Sequence, residues 1–443
     1  MNRKIVDPAE TIVAPASGAG PSAVAVIRIS GPRTRSVLET LVGRVPAPRR
    51  ASLRDIGEPA IDRGLVLWFP GPASFTGEDM AELHVHGSRA VIQAVVEAVL
   101  AVEGTRLAEP GAFARRAFEN GKLDLTEVEG LADLINAETE AQRRQALAQS
   151  EGSLRRLYEG WRAELLKAQA LMEAGLDFAD EADVAVDVGV KANAIVAPLL
   201  RSIEQHLADR SGERLRDGLR VVIAGPPNAG KSSLLNALAK RDAAIVSEEA
   251  GTTRDVIEVH LDLGGLPVIL ADTAGIRAGR GRVEQEGIRR ALARAEDADL
   301  VLWVIDATDP VWEPPVPLAA KNVIFALNKS DLGAPPAHND AVIDPLALSA
   351  KTGAGLDALI ARLADLASAE SAGSGHIPLT RTRHRTELVS SRDALQRFVN
   401  HKLSPELQAE ELRISARHLG RLTGLIDVEE VLGAIFAEFC IGK

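Results

Sequence analysis

The run Gly225-Pro226-Pro227-Asn228-Ala229-Gly230-Lys231-Ser232 has the spacing G-x-x-x-x-G-K-[ST], and the chemistry of that spacing is phosphate binding. Glycines let backbone N–H groups turn inward on phosphate oxygens, and a helix opening behind them adds the positive end of its dipole. Lys231 can reach the β- and γ-phosphates, the Ser232 hydroxyl can bind Mg²⁺, and Asn228, Ala229, Gly230 and Ser233 line the same cradle. Asp272-Thr273-Ala274-Gly275 follows about 40 residues later. An acidic residue there can hold the Mg²⁺ shell, and Gly275 can place its N–H on the γ-phosphate. Asn328-Lys329-Ser330-Asp331 brings a carboxylate that can accept from the ring N–H and the amino group of guanine together. Adenine lacks that donor pair, and a site built on such hydrogen bonds discriminates by roughly 10⁴ or more. Ser349-Ala350-Lys351 stands where a loop would close over the base.

These residues need strands that end at the phosphates and a helix that starts there. Leu219–Ala224, Val256–Leu263, Pro267–Ala271, Leu300–Asp306 and Asn322–Asn328 are apolar, β-rich runs, and Ser232–Ala239, Val283–Ala295 and Leu356–Ala367 have helical spacing. Their alternation implies a doubly wound, mostly parallel sheet over 218–371. The four motifs in this order resemble the P-loop GTPases that bind guanine nucleotides. In that family Gly251-Thr252-Thr253-Arg254-Asp255 is switch I, and Thr253 senses Mg²⁺ and the γ-phosphate. Ras-like members orient the attacking water with a Gln just after the D-x-x-G motif. Ile276 stands there and cannot polarise water, while Arg254 and Arg277 read as structural rather than as arginine fingers.

Around this α/β unit the texture changes. Residues 1–120 read as an α+β domain, with strands at Ala23–Ile29, Leu65–Phe69 and Ala81–His86 and a helix at Ser88–Val102. Lys122–Gly175, Val190–Leu207 and Arg381–Phe439 are helical, with breaks near Pro405 and Gly424. One all-α domain, 121–217 plus 372–443, is therefore expected to carry the α/β domain as an insertion, since domain termini commonly lie close together. With 46% hydrophobic and 26% charged residues, the 443-residue chain is not disordered. A net charge of −11 argues against bulk non-specific nucleic-acid binding, and 3% aromatics argue against broad base-stacking platforms. Cys440 is the only cysteine, so no internal disulfide forms. No run of about 18 apolar residues is present and no signal peptide is evident, so a cytoplasmic protein is expected. Arg381-Thr382-Arg383-His384-Arg385 is a local basic run. It reads first as a solvated helix start and second as a contact for RNA phosphates.

The phosphate loop with Pro227-Asn228, the GTTRD run and the ending Cys440-Ile441-Gly442-Lys443 together resemble the MnmE/TrmE family. Ile27–Gly31, Phe75–Asp79, Pro110–Phe113 and Asn120–Leu125 extend that resemblance over the whole chain. It implies a K⁺-dependent GTPase of tRNA wobble-uridine modification. The N-terminal domain would bind 5,10-methylene- or 5-formyl-tetrahydrofolate and form the homodimer, and a flavin-dependent partner of the MnmG/GidA family would join it on tRNA. By position, Arg28, Glu82, Lys122 and Lys443 match folate contacts, with basic groups for the acidic tail and Glu82 for the pterin amino group. Asn228, Ser247, Glu249 and Thr252 match K⁺ ligands, Glu284 matches the water-positioning glutamate, and Cys440 matches a residue of the modification chemistry. The competing function is a regulatory or ribosome-assembly GTPase that acts as a nucleotide-dependent switch. A prenylated membrane switch is a third reading that Gly442 and Lys443 fit poorly.

Overall fold

The computed structural model describes residues 10–18, 20–177, 182–241, 243–245, 258–272, 298–319, 322–333, 345–371, 376–400, 403–426, 429–437, 439 and 442. In chain order the elements are β1 (Thr11–Pro15), β2 (Ser22–Ser30), α1 (Thr34–Val42), β3 (Ser52–Ile56), β4 (Asp62–Phe69), β5 (Met80–Gly87), α2 (Arg89–Leu100), β6 (Thr105–Leu107) and α3 (Ala112–Glu119). Helices follow: α4 (Leu125–Ile135), α5 (Glu140–Ser150), α6 (Ser153–Asp177), α7 (Ala182–Ala208) and α8 (Ser211–Asp217). Next come β7 (Leu219–Ala224), α9 (Lys231–Leu238), β8 (Ala244–Ile245), β9 (Glu258–Leu263), β10 (Leu266–Asp272), β11 (Leu300–Asp306), α10 (Val316–Ala319), β12 (Asn322–Asn328), β13 (Leu346–Ala347) and α11 (Leu356–Ser371). The chain closes with α12 (Thr382–Val399), α13 (Pro405–Thr423) and α14 (Glu429–Ala437). Contacts divide the chain into two compact units, one of 1–132, 149–163 and 416–443, the other of 133–148 and 164–415.

The first unit holds a six-stranded sheet in the order β3-β4-β5-β2-β1-β6. Alternation along β2 and β5 sorts its faces. Ile27, Ile29, Leu83 and Val85 point into a core with Val37 and Leu38 of α1 and Val95 and Val99 of α2. Arg28, Glu82 and His84 therefore belong to the opposite face, and the antiparallel register sets Arg28 directly across from Glu82. The composition of 105–135 makes its helices through local devices. Asp124 caps α4, accepting from Glu127 N–H and the Thr126 hydroxyl while Glu127 Oε2 accepts from Asp124 N–H, a reciprocal capping box.

The second unit holds a seven-stranded sheet, β13-β12-β11-β7-β10-β9-β8. The strands from β13 to β10 are parallel, while β9 and β8 run antiparallel at one edge. The inner strands β7 and β11 are buried along nearly their whole length and read as apolar runs, as helix-covered strands must. Leu300–Ile305 is buried throughout. The expected class holds: a doubly wound, mostly parallel α/β sheet, helices before and after it, and an α+β N-terminal unit. Pro405 opens α13 at the first helical position, where its missing N–H costs nothing. Gly424 ends it at φ 86, where a Cβ would strike the Phe118 ring at 2.6 Å.

Candidate functional site

β7 ends at Ala224 and the phosphate loop begins. A Cβ at Gly225 would lie 2.3 Å from Val304 O, and one at Gly230 (φ 91) 2.3 Å from Asn328 Nδ2, so both positions exclude any side chain. Asn228 has φ 63, a left-handed turn held in a non-glycine residue, and it is exposed. Strain of this kind gathers at ligand clamps. Lys231 opens α9, and its Nζ donates to Gly225 O (2.9 Å) and Pro226 O (2.8 Å), which holds the ammonium against the loop. Ser232 and Ser233 are exposed in the first turn of the helix, and Ala229 is buried beneath the loop.

The Asn328–Asp331 and Ser349–Lys351 motifs are tied to this loop by the Asn328 amide. Asn328, 2% exposed, donates from Nδ2 to Ala229 O (2.8 Å) and accepts at Oδ1 from Ala350 N–H (2.9 Å). Asp331 Oδ1 accepts from the buried Ser349 hydroxyl at 2.7 Å. Lys329, at φ 65, reaches Asp306 Oδ2 at 2.5 Å. Burial alone would raise the Asp306 carboxyl, but hydrogen bonds from Lys329 and Thr308 hold it below the usual carboxylate range. Asp306 was missed in the sequence because it ends β11, opposite Asn328 in the register, and only that pairing brings it to Lys329. Asn228, Ala229, Gly230, Lys231, Ser232 and Ser233 thus share one edge of the sheet with Asn328, Lys329, Asp331, Ser349, Ala350 and Lys351. The backbone of Asp272 ends the adjacent β10. Ser247, Glu249, Thr252, Thr253, Thr273, Ala274, Gly275 and Glu284 lie outside the described residues, as do Ile276, Arg254, Arg277 and the helix expected over 283–295.

Asp331→Asn should weaken GTP binding and favour xanthosine triphosphate, because xanthine presents a carbonyl where guanine presents its amino group. Competition between the two nucleotides reads this out. No gain for xanthosine triphosphate would remove Asp331 from base reading.

In the N-terminal unit, Arg28 and Glu82 of the expected folate contacts pair with each other. Glu82 Oε1 accepts from Arg28 Nε (3.2 Å) and Nη2 (3.1 Å), and Glu82 Oε2 lies 3.4 Å from His84 Nε2. The guanidinium sits 5.7 Å from the Phe75 ring centroid and 5.8 Å from that of Phe113. Its Nη1 also donates to Gly442 O at 3.5 Å, so Gly442 meets the first sheet. Gly442 has φ 102, and a Cβ there would come within 2.0 Å of Pro15 O. Lys122 is exposed, and its stem runs past Gly77 in the loop that also carries Phe75. Cys440 and Lys443 lie outside the described residues. A second network went unseen in the sequence. Arg116, 2% exposed, donates to Glu78 Oε2 (2.7 Å), Ser30 O (3.0 Å) and Glu10 O (2.7 Å), and Ser30 Oγ lies 2.7 Å from Thr76 Oγ1. It pins the loop 74–79 to the end of β2.

Burial pushes the Asp124 carboxyl up to about 6, despite the cap hydrogen bonds from Glu127 N–H and Thr126. Unfolded, it ionises near 3.8. The folded chain therefore holds that proton more tightly, and the associated stability is full at low pH and lost as pH rises through about 6. Asp124→Asn keeps the cap acceptor without the buried charge. It should stabilise the protein at pH 8 by about 1–3 kcal/mol and change little near pH 4. Thermal unfolding at the two pH values checks this, and equal shifts at both would refute it.

Arg381 and Arg385 of the basic run are paired within their own unit. Arg381 Nη2 donates to Asp133 Oδ1 at 2.8 Å, beside Arg216 Nε at 3.0 Å, and Arg385 Nη2 donates to Glu213 Oε2 at 2.8 Å. Arg381 is buried and His384 fully so. These arginines hold helices together rather than standing as a solvated helix start.

The chain matches the family model of the GTP-binding protein TrmE N-terminus over residues 11–122 and that of the MnmE helical domain over 125–440. The tRNA modification GTPase MnmE of Parvibaculum lavamentivorans is 54% identical over 444 residues, covering 98% of this chain and 100% of the relative. That of Beijerinckia indica is 52% identical over 440 residues, covering 98% and 96%. A structure of the G domain of the T. maritima FeoB iron transporter is 29% identical, covering 34% of this chain and 98% of that one, at a TM-score of 0.26. Two adjoining family models and relatives matched end to end place the whole chain, not one domain of it, in the MnmE family.

Proposed function

We propose that this chain is a K⁺-dependent GTP hydrolase that, as a homodimer with a flavin-dependent partner of the MnmG/GidA family, installs a carboxymethylaminomethyl-type group on C5 of the tRNA wobble uridine from a tetrahydrofolate one-carbon unit. The coarse part, a GTPase of tRNA modification, follows from membership of the MnmE family. The observation that carries the nucleotide half is Asn328, whose one amide joins the phosphate loop to the base loop. The observation supporting the folate half is the partly exposed Arg28–Glu82 pair on the sheet face opposite the α1–α2 core, beside Phe113 and Gly442. The division proposed is 1–120 for folate and dimerisation, 121–217 plus 372–443 helical, and 218–371 for the nucleotide. No helix among the described residues is long and apolar enough to cross a membrane, and the cytoplasm is the proposed location.

In this reading Lys231 and the N–H groups of the phosphate loop bind the β- and γ-phosphates. Asp331 reads the guanine edge and Ser349 holds that carboxylate in place. Ser232 and Thr253 hold Mg²⁺, and Asn228, Ser247, Glu249 and Thr252 hold K⁺. Hydroxyl, amide and carboxylate oxygens are donors that hard cations prefer, and the Asn228 side chain stands exposed beside the loop. Such cations neutralise charge developing on the transferring phosphoryl group, the role an arginine finger has elsewhere. Glu284 orients the attacking water in place of the missing glutamine. Replacing K⁺ by Na⁺ at equal ionic strength should slow turnover on the order of tenfold or more. Equal turnover in the two salts would sink the K⁺ role.

Calorimetric titration with 5-formyl-tetrahydrofolate tests the folate half. The wild-type chain should bind it and Arg28→Ala should not. Absence of binding to either would favour a nucleotide-dependent switch without one-carbon chemistry.

A further inference from the structure

Residues 33–54 carry six arginines against one glutamate, in a chain whose net charge is −11. Arg33, Arg35, Arg44, Arg49 and Arg50 are exposed and Arg54 is half-buried. Among the described residues none of them has a carboxylate within ion-pair distance, whereas neighbouring Arg28, Arg63, Arg106, Arg115 and Arg116 all do. Unpaired arginines at this density keep a local positive potential on an acidic protein.

The segment that carries them is held by backbone hydrogen bonds. Between α1 and β3, Gly43 N–H donates to Glu39 O, Arg44 N–H to Val42 O, Arg49 N–H to Trp68 O and Arg50 N–H to Ala47 O. Pro46 is buried and Pro48 fixes the next turn. The Arg49 guanidinium stacks 5.7 Å from the Phe69 ring centroid. Arg44 and Arg50 are six residues apart and so stand within about 20 Å of each other. A loop held in this way loses little entropy when a ligand docks, and the guanidinium fork matches phosphate oxygens two at a time.

We propose that Arg33 and Arg35 at the start of α1, Arg44, Arg49 and Arg50 of the following loop and Arg54 of β3 form the surface on which the tRNA phosphate backbone rests. This rests on the tRNA reading above, and it moves the RNA contact from the run at 381–385, whose Arg381 and Arg385 are internally paired, to the N-terminal unit. The charge complements a polyanion, and the acidic remainder of the molecule repels one, so the docking is oriented.

The test is binding of an unmodified tRNA transcript to the full chain, followed by fluorescence anisotropy over a series of KCl concentrations. The triple variant Arg35→Gln/Arg44→Gln/Arg50→Gln should bind on the order of tenfold or more weakly, with a salt slope reduced by about 2 to 3. Its GTP hydrolysis and melting temperature should match the wild type. A variant that binds with unchanged affinity and slope overturns the surface while leaving the tRNA reading intact. A wild-type chain that does not bind tRNA at low salt overturns both. Phosphatidylserine vesicles are the second probe. Loss of vesicle binding with tRNA binding unchanged would make this a lipid-facing patch and refute the proposal.

Discussion

Asn328→Ala should weaken GTP and GDP binding on the order of a hundredfold. Its amide is 2% exposed and makes two hydrogen bonds that join the phosphate loop to the Ser349–Lys351 loop. Truncation leaves Ala229 O and Ala350 N–H without their partner, and a buried unsatisfied group costs about 1–3 kcal/mol. About 3 kcal/mol from the two together is about a hundredfold in affinity. The loss falls on binding, because the phosphate loop and the base loop must then be ordered separately by the nucleotide. Equilibrium titration with a fluorescent guanine nucleotide measures it. Asn328→Asp sharpens the test. It is isosteric and still accepts from Ala350 N–H, but it sets a carboxylate oxygen against Ala229 O and should be at least as damaging. Affinities within a factor of about three of wild type in both variants would show that the loops are held by other contacts.

Glu284→Ala should cut kcat by about 10²-fold or more and leave GTP affinity almost unchanged. With Ile276 following the Asp272–Gly275 motif, the chain has no glutamine there to orient water, and Glu284 is the group assigned to that role by resemblance. A water-positioning residue acts mainly in the transition state, so its loss appears in kcat and kcat/KM together rather than in binding. The magnitude is that of a general base or its equivalent. Single-turnover hydrolysis beside nucleotide titration separates the two quantities. A normal rate in the variant would mean that another group holds the water.

The candidate nucleotide site is legible in the sequence because its motifs are local. Each is a short run at the end of a strand, and the apolar strands before Gly225 and Asn328 announce themselves by composition. What the motifs do not display is their joining. That Asn328 reaches Ala229, or that Asp306 receives Lys329, depends on the order of β7, β11 and β12 in the sheet. The N-terminal site was legible only as a resemblance, because its parts lie between residues 28 and 442. Arg28 and Glu82 look like ordinary surface charges until the register sets them opposite each other. β1, β3 and β6 have only three to five residues each, too few for a period to show. α3 buries Arg116 among its apolar residues, which breaks the helical pattern that would have marked it. The basic run at 381–385 misleads in the same way, since Asp133 and Glu213 lie far off in sequence. A charge run predicts solvent or a polyanion only where the fold supplies no carboxylate.

On the proposed reading one chain carries two chemically separate sites, hydrolysing GTP at one and using a one-carbon unit at the other to modify tRNA. The direct measurement is the modified wobble-uridine content of tRNA from cells carrying only one form of the chain, beside the GTP hydrolysis rate of that form purified. The wild type should modify and hydrolyse. Lys231→Ala should do neither, and Arg28→Ala and Cys440→Ser should hydrolyse GTP normally and leave wobble uridine unmodified. Normal modification in both Arg28→Ala and Cys440→Ser cells, or modification that persists with Lys231→Ala, would contradict the account.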